Sequence, residues 1–572
     1  MLHRLNREAP SVRTHSKWAV AAVASLWLAG CGGGGGSDPT PPPAAASLAI
    51  SGTAATSAPL ANAAVDSKCA TGSGSGNTAS DGSYTVTILS GALPCVLRVT
   101  SGSTVLHTVA TGSGSTARAD ITPVTELVVA RLAGDLPATY YAGFNATAAA
   151  ALTPASAQSA ATAVVDTLKT GGVDLSTAGD VLTGTLAPGG AYATGLTALQ
   201  TSLTATGTTL ATLTQSTALT SPAAPVAALS NVASLPADRL LAPAAANCAS
   251  LRSGKYRIIV NEDGGTAPST QVLTIDAPGM KITNGFNEVF TVTSTGTCSY
   301  LIASTGTEIV VTKSGVIVAR VNDGPNVMRG AVAFPEQTHS VAELAGAWNT
   351  LGFDSTLANA QNHLSSATVS IDSAGKVTAI NQCDDLRTCV ALTPAITVTA
   401  NAAGGFDLVA AGDPNVARGF AYRAGGGELM LVTIAKSGHI MFATRKAPIG
   451  LPTVGRIQES WNLTLTAAYI APSAISTSRN TVVSVDTAAG SFLRNAVTNF
   501  STGVTRPETL VVNSLREGYV RRLPATVTQS DGTTSTVSEF FTLSMRGMDF
   551  TPVALPAANQ MILSATSSTV VP

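Results

Sequence analysis

Between residue 248 and the end of the chain, three landmarks recur three times in the same order, and this repeat limits the fold more than any other feature. The first is an aromatic opening a strand, in Gly254-Lys255-Tyr256, Gly346-Ala347-Trp348 and Glu459-Ser460-Trp461. The second is an apolar strand ending in Asp, then a turn closed by Gly: Asp276 with Gly279, Asp372 with Gly375, Asp486 with Gly490. The third is a Glu, an apolar strand, a Gly turn and another strand: Glu308 with Gly315, Glu428 with Gly438, Glu539 with Gly547. Asp at a turn start accepts backbone hydrogen bonds, and Gly tolerates the left-handed φ that hairpins need. Each unit is therefore expected to be an antiparallel β-meander, over residues 248–340, 341–450 and 451–572, with Tyr256, Trp348 and Trp461 as buried core plugs.

Upstream the period changes twice. Residues 47–121 read as short alternating strands. Within them, Pro59-Leu60-Ala61-Asn62-Ala63-Ala64-Val65 precedes the hairpin signal Asp81-Gly82-Ser83-Tyr84. This pair of motifs resembles the carboxypeptidase regulatory-like (prealbumin-like) family, although Asn62 stands where that family has Gly. The resemblance implies an Ig-like β-sandwich that acts as a structural or interaction module and lends no catalysis. Residues 122–220 carry helix starts at Thr122-Pro123 and Thr153-Pro154, a stop at Gly171-Gly172, and a leucine-spaced helix from Leu196 broken at Gly207, which together predict a small α-helical bundle. Residues 221–247, punctuated by Pro222, Pro225, Pro236 and Pro243, are expected to be linker. The fold class is thus multidomain and mainly β: a sandwich, a helical bundle, and three tandem barrel- or sandwich-like repeats. In the second repeat, Ser340-Val341-Ala342-Glu343 forms a capping box just before Gly346-Ala347-Trp348, which resembles the opening of lipocalin barrels. That resemblance implies a barrel able to carry a small apolar ligand.

The N-terminus addresses the chain. Arg4, Arg7, Arg13 and Lys17 precede an apolar run of 11 residues from Trp18 to Leu28. That run is too short for a hydrocarbon core of ~30 Å and suits a signal peptide. Leu28-Ala29-Gly30-Cys31 follows directly and resembles the lipobox of bacterial lipoproteins. The resemblance implies a signal peptide over 1–30, acylation of Cys31 and, with Gly32 rather than Asp next to it, sorting to the outer membrane. Residues 31–46, rich in Gly and then Pro, are the expected tether. The other six cysteines fall in sequence pairs inside single proposed domains, so disulfides Cys69–Cys95, Cys248–Cys298 and Cys383–Cys389 are expected in an oxidising compartment. No second close cysteine pair and no histidine couple supports zinc, so no metal site is expected.

The remaining chemistry is sparse. Charged residues are 11% of the 572 and the net charge is −1, with no basic tract in the mature chain, which argues against a nucleic-acid partner. Ser373-Ala374-Gly375-Lys376 matches the S-x-x-K of penicillin-recognising hydrolases but reads as a hairpin turn, and its Ser-Asp-Asn and Lys-Thr-Gly partners are missing. Gly112 to Ala117 imitates a dinucleotide fingerprint at the end of a sandwich, where a loop is expected. His107, His339, His363 and His439 are scattered and read as surface or packing residues. No catalytic, cofactor-binding or metal-binding residue is assigned. The expectation is a non-catalytic lipoprotein with a binding or structural role at the cell envelope, its partners being the membrane through Cys31 and an envelope protein or glycan. A carrier of a small apolar ligand is the alternative, and an envelope hydrolase comes third. A closed apolar cavity behind Tyr256, Trp348 or Trp461 would favour the carrier, and a cleft holding a His–carboxylate pair would favour the enzyme.

Overall fold

The computed structural model describes residues 47–223, 229, 234–262, 268–322, 327–354, 363–383, 386–393, 395–410, 413–426, 428–466, 474–498 and 503–570; the expected signal peptide, Cys31 and the expected tether lie outside them. Residues 47–118 form a sandwich. Strand Ser47–Thr53 lies between Ser83–Leu89 and the short parallel strand Thr116–Arg118. A four-stranded sheet, containing Ala64–Thr71, Ala92–Ser101 and Thr104–Ala110, faces it. Alternation is regular on Ser83–Leu89, where Tyr84, Val86 and Ile88 point into the core. Asn62 adopts φ 52°, the left-handed conformation that Asn tolerates better than most residues. Cys69 bonds to Cys95 across two neighbouring strands.

The helices pack against this sandwich. Pro123–Ala133 and Pro154–Thr170 begin at Thr122 and Thr153, each capped through a reciprocal pair with the hydroxyl three residues on. Ala191–Thr206 stops at Gly207, φ 63°, and Thr209 caps the next helix, Leu210–Leu219. Glu126 of the first helix accepts hydrogen bonds from the backbone N–H of His107 at 2.6 Å and sits 2.9 Å from its ring Nδ1, which pins helix to sheet. The expected linker is not one throughout. Leu235, Ala237, Leu240 and Leu241 are buried in the helical core, and Ser216 and Thr208 donate to the Leu235 and Leu240 carbonyls. Pro236 here precedes a short helix, Ala237–Leu240, rather than punctuating a solvated spacer.

The three repeats are three eight- or nine-stranded meanders in which the first strand pairs with the last. In the first, Gly254–Val260 pairs with Met328–Pro335, and the two outermost strands, Val289–Thr291 and Thr293–Gly296, are separated only by Val292. In the second, Gly346–Phe353 pairs with Ile440–Arg445, and the outer strands Cys389–Leu392 and Ile396–Ala400 again follow one another. The third is a closed barrel from Ile457–Leu465 to Gln560–Val570, with an extra hairpin, Ala525–Thr528 and Thr534–Val537, inserted before its sixth strand. The remaining disulfides, Cys248–Cys298 and Cys383–Cys389, each lie within one unit.

The Asp turns form as their sequence suggests. Asp276 Oδ1 accepts from Gly279 N, Asp372 Oδ1 from Ala374 and Lys376 N, and Asp486 Oδ1 from Ala488 and Ala489 N. Gly375 and Gly490 take positive φ, whereas in the first unit Met280, not Gly279, occupies the left-handed position. The Ser373 to Lys376 segment is thus a hairpin turn.

Strands at the centre of the assembly are buried on both faces. Leu429 and Leu431 point into the second barrel, while Met430, Val432 and Ile434 point out of it. The outward residues meet Ile259, Val318, Val332 and Phe334 of the first unit and Leu463, Leu465, Phe541, Phe550 and Leu563 of the third. Phe334 stacks on Tyr422 at 5.5 Å, and Phe442 meets Phe550 at 5.3 Å. One apolar core therefore belongs to all three repeats.

Candidate functional site

The first two units are open, barrel-like sheets and the third is a closed barrel, and their interiors decide where a ligand has room. In the first, Tyr256 is fully buried and donates its hydroxyl to the Arg252 carbonyl at 3.0 Å. In the second, the short 3-10 helix Val341–Leu344 leads into Gly346 and Trp348, and the Trp348 indole donates to Leu344 O at 2.8 Å. The Arg445 guanidinium covers that ring at 4.2 Å. Both aromatics are plugs. Space beside Tyr300, Ile309 and Ile317 inside the first barrel amounts to about 20 Å³. A cleft lined by Arg257, Phe406 and Phe420, where the first two units meet, holds about 10 Å³. Neither approaches the ~300–1,000 Å³ of small-molecule sites.

Trp461 departs from the expected pattern. It is half-buried and packs on the shared core outside the third barrel, on the same strand face as Leu463 and Leu465. The bulge beside it skips residue 567 of the last strand, so alternation along Ile457–Leu465 itself is unbroken and Trp461 shares the outward face with Leu463 and Leu465. The inward face of this strand is consequently polar: Ser460, Asn462 and Thr464.

The interior of the third barrel is charged. Strands Ser491–Thr498, Arg506–Val512 and Tyr519–Arg522 set Arg494 opposite Glu508 and Leu510 opposite Arg522. The Glu508 side chain has no exposure. Its Oε2 accepts from Arg494 Nε and Nη2 at 2.9 and 2.7 Å. Its Oε1 accepts from Arg506 Nη2 at 2.7 Å and Arg522 Nη1 at 2.6 Å. Arg522 also donates Nε to Ser538 O at 2.8 Å and lies over Phe540 at 4.4 Å. Burial alone would favour the neutral acid, but the charges of Arg494 and Arg522 overcome it and hold Glu508 down at about 2. A cavity of about 290 Å³ opens beside this cluster at one mouth of the barrel, between Arg506, Arg522, the inserted hairpin at Thr536 to Glu539, and the turn Leu555 to Ala558.

No sequence motif announced these residues. Their one signal is density: in a chain with 11% charged residues, Arg494, Arg506, Arg516, Arg521 and Arg522 crowd into a short segment around Glu508.

The histidines are packing residues: His107 and His363 are buried, and His339 and His439 are half-buried. His107 and Glu126 form a His–carboxylate pair, but their side chains are 2% and 11% exposed and His107 Nε2 has neither partner nor access to solvent. His363 is buried with Nδ1 against Asp354 O. His439 Nε2 sits 3.3 Å from Ser365 Oγ, and burial lowers its pKa. His339 lies between Gln337 and Glu343, and burial lowers its pKa too. Among the described residues, no group of three or more His, Cys, Asp or Glu side chains could hold a metal ion.

No family model matches the sequence, and no curated protein matches it. Among solved structures, the chain has a distant similarity to the isotype 1 transferrin binding protein B (TbpB) from serogroup B Neisseria meningitidis. It is 10% identical, has a TM-score of 0.19, and covers 56% of this chain and 77% of that one.

Proposed function

We propose that this protein is a non-catalytic binding protein of the cell envelope, anchored to the outer membrane by lipid on Cys31, and that ligand enters at the mouth of the third barrel. One contrast supports this reading: about 20 Å³ of space inside the first barrel against about 290 Å³ at the third. The charged cluster points the same way. Burying a carboxylate with several cations rarely stabilises more than an apolar filling would, so Glu508 and its arginines are poor candidates for a purely structural role. The apolar carrier is disfavoured by the plugs Tyr256 and Trp348.

Two measurements test the reading. Cys31→Ser should move the protein from the membrane pellet to the soluble fraction with altered mobility; a variant still in the pellet and unchanged on gels contradicts the anchor. A photoreactive residue at exposed Ala557, beside the cavity, should give a discrete adduct in living cells, and one at exposed Lys281, beside the filled first barrel, should not. Equal labelling at both positions contradicts the site.

A further inference from the structure

The cavity at the third barrel also carries information about what it would hold. Arg506 spends Nε and Nη2 on Glu508, and Arg522 spends Nε on Ser538 O and Nη1 on Glu508. Arg506 Nη1 and Arg522 Nη2 have no hydrogen-bond partner among the described residues, and neither atom is sealed from solvent. Both residues line the cavity. Glu508 supplies one negative charge against the three guanidiniums of Arg494, Arg506 and Arg522, so the cluster keeps a positive excess. The other carboxylate on the rim, Glu539, is itself paired with Arg521 and Arg387 and does not cancel that excess. Val537, Leu555 and Ala557 supply apolar lining to the same cavity.

Resting on the reading of this mouth as the binding site, we propose that it takes a small organic oxyanion, its head on the free N–H groups of Arg506 and Arg522 and its compact apolar stem against Val537 and Leu555. Planar guanidiniums suit this task because their paired donors match the geometry of carboxylate and phosphate oxygens. Glu508 then acts as a positioning residue. By gripping Arg506 and Arg522 from behind, it fixes the free donors before any ligand arrives, which lowers the ordering cost of binding.

Calorimetric titration of the full mature chain with hexanoate, inorganic phosphate and hexanol separates head from stem. Hexanoate should bind saturably, phosphate at least tenfold more weakly, and hexanol not at all. Arg506→Gln, at a side chain one-third exposed, should weaken hexanoate at least tenfold in a chain that still folds, with a lower melting temperature from the lost pair to Glu508, and Ala557→Asp, at an exposed position on the same cavity, should weaken it as much at an unchanged melting temperature. Arg479→Gln, whose side chain pairs with Glu459, should change nothing. The proposal is overturned if the folded protein does not bind hexanoate, if hexanol binds as well, or if Arg506→Gln binds like the parent. An in-cell adduct at Ala557 together with no hexanoate binding would reject the ligand class and keep the site.

Discussion

Two acids, buried Glu508 and half-buried Asp549, pull stability in opposite directions with pH. Glu508 ionises at about 2 when folded, against 4.5 for the free group, because Arg494 and Arg522 outweigh its burial. Its folded pKa is depressed, so its contribution is present above about 4.5 and is lost as pH falls towards 2. Asp549 is raised by burial from 3.8 to about 6, with Lys313 and Arg456 only partly offsetting the desolvation. Its contribution is present below about 3.8 and disappears as pH rises through 6. Melting curves from pH 2 to 8 should therefore respond in two ways. Glu508→Gln strands three arginines and should cost roughly 3–5 kcal/mol at neutral pH, with a flatter acid limb below pH 4.5. Asp549→Asn should raise the melting temperature at pH 7 and leave it unchanged at pH 3.5, since Asn also accepts the φ of 48° found there. A neutral-pH gain for Glu508→Gln, or a loss for Asp549→Asn, would reverse the assignment of signs.

Among elements, what sequence revealed was local, and what it concealed was long-range. Asp372 and Asp486 could be placed in turns because their partners lie two to four residues away. Thr122 and Thr153 could be read as helix starts for the same reason. The repeated Glu could not be interpreted, since each has a partner in another unit: Glu308 accepts from Ile475 N at 3.1 Å, Glu428 pairs with Arg546 at 2.9 Å, and Glu539 pairs with Arg387. Nor could the facing of Trp461, because both faces of its strand alternate regularly and which one is covered depends on packing against the other two units. The two tryptophans should consequently differ in denaturant unfolding. Trp348→Ala removes a ring that is 1% exposed and covered by Arg445, and should cost ~3–5 kcal/mol. Trp461→Ala removes a half-buried ring from the outer face and should cost clearly less. Equal losses would mean that the third aromatic is a plug after all.

At the scale of the whole molecule, the repeats are not beads on a string. Residues 46–572 form a single unit, and the largest apolar core lies between the barrels rather than inside any of them. That arrangement explains runs such as Leu429-Met430-Leu431-Val432, which lack the period-two pattern of a barrel washed by solvent on its outside. Polar ties reinforce the core: Asn261 donates to Gly438 O at 2.7 Å, Asn349 to Glu517 O at 2.6 Å and Tyr519 to Thr350 O at 2.6 Å. Rigid fusion of this kind holds the mouth of the third barrel at a fixed place on the body. Because each unit supplies one wall of the common core, none should open without the others. Amide hydrogen exchange of the full mature chain in graded denaturant reads this directly. The amides of Val332, Val432 and Leu563, one from each unit, should converge on one opening free energy and one denaturant slope; three separate values would contradict a shared core.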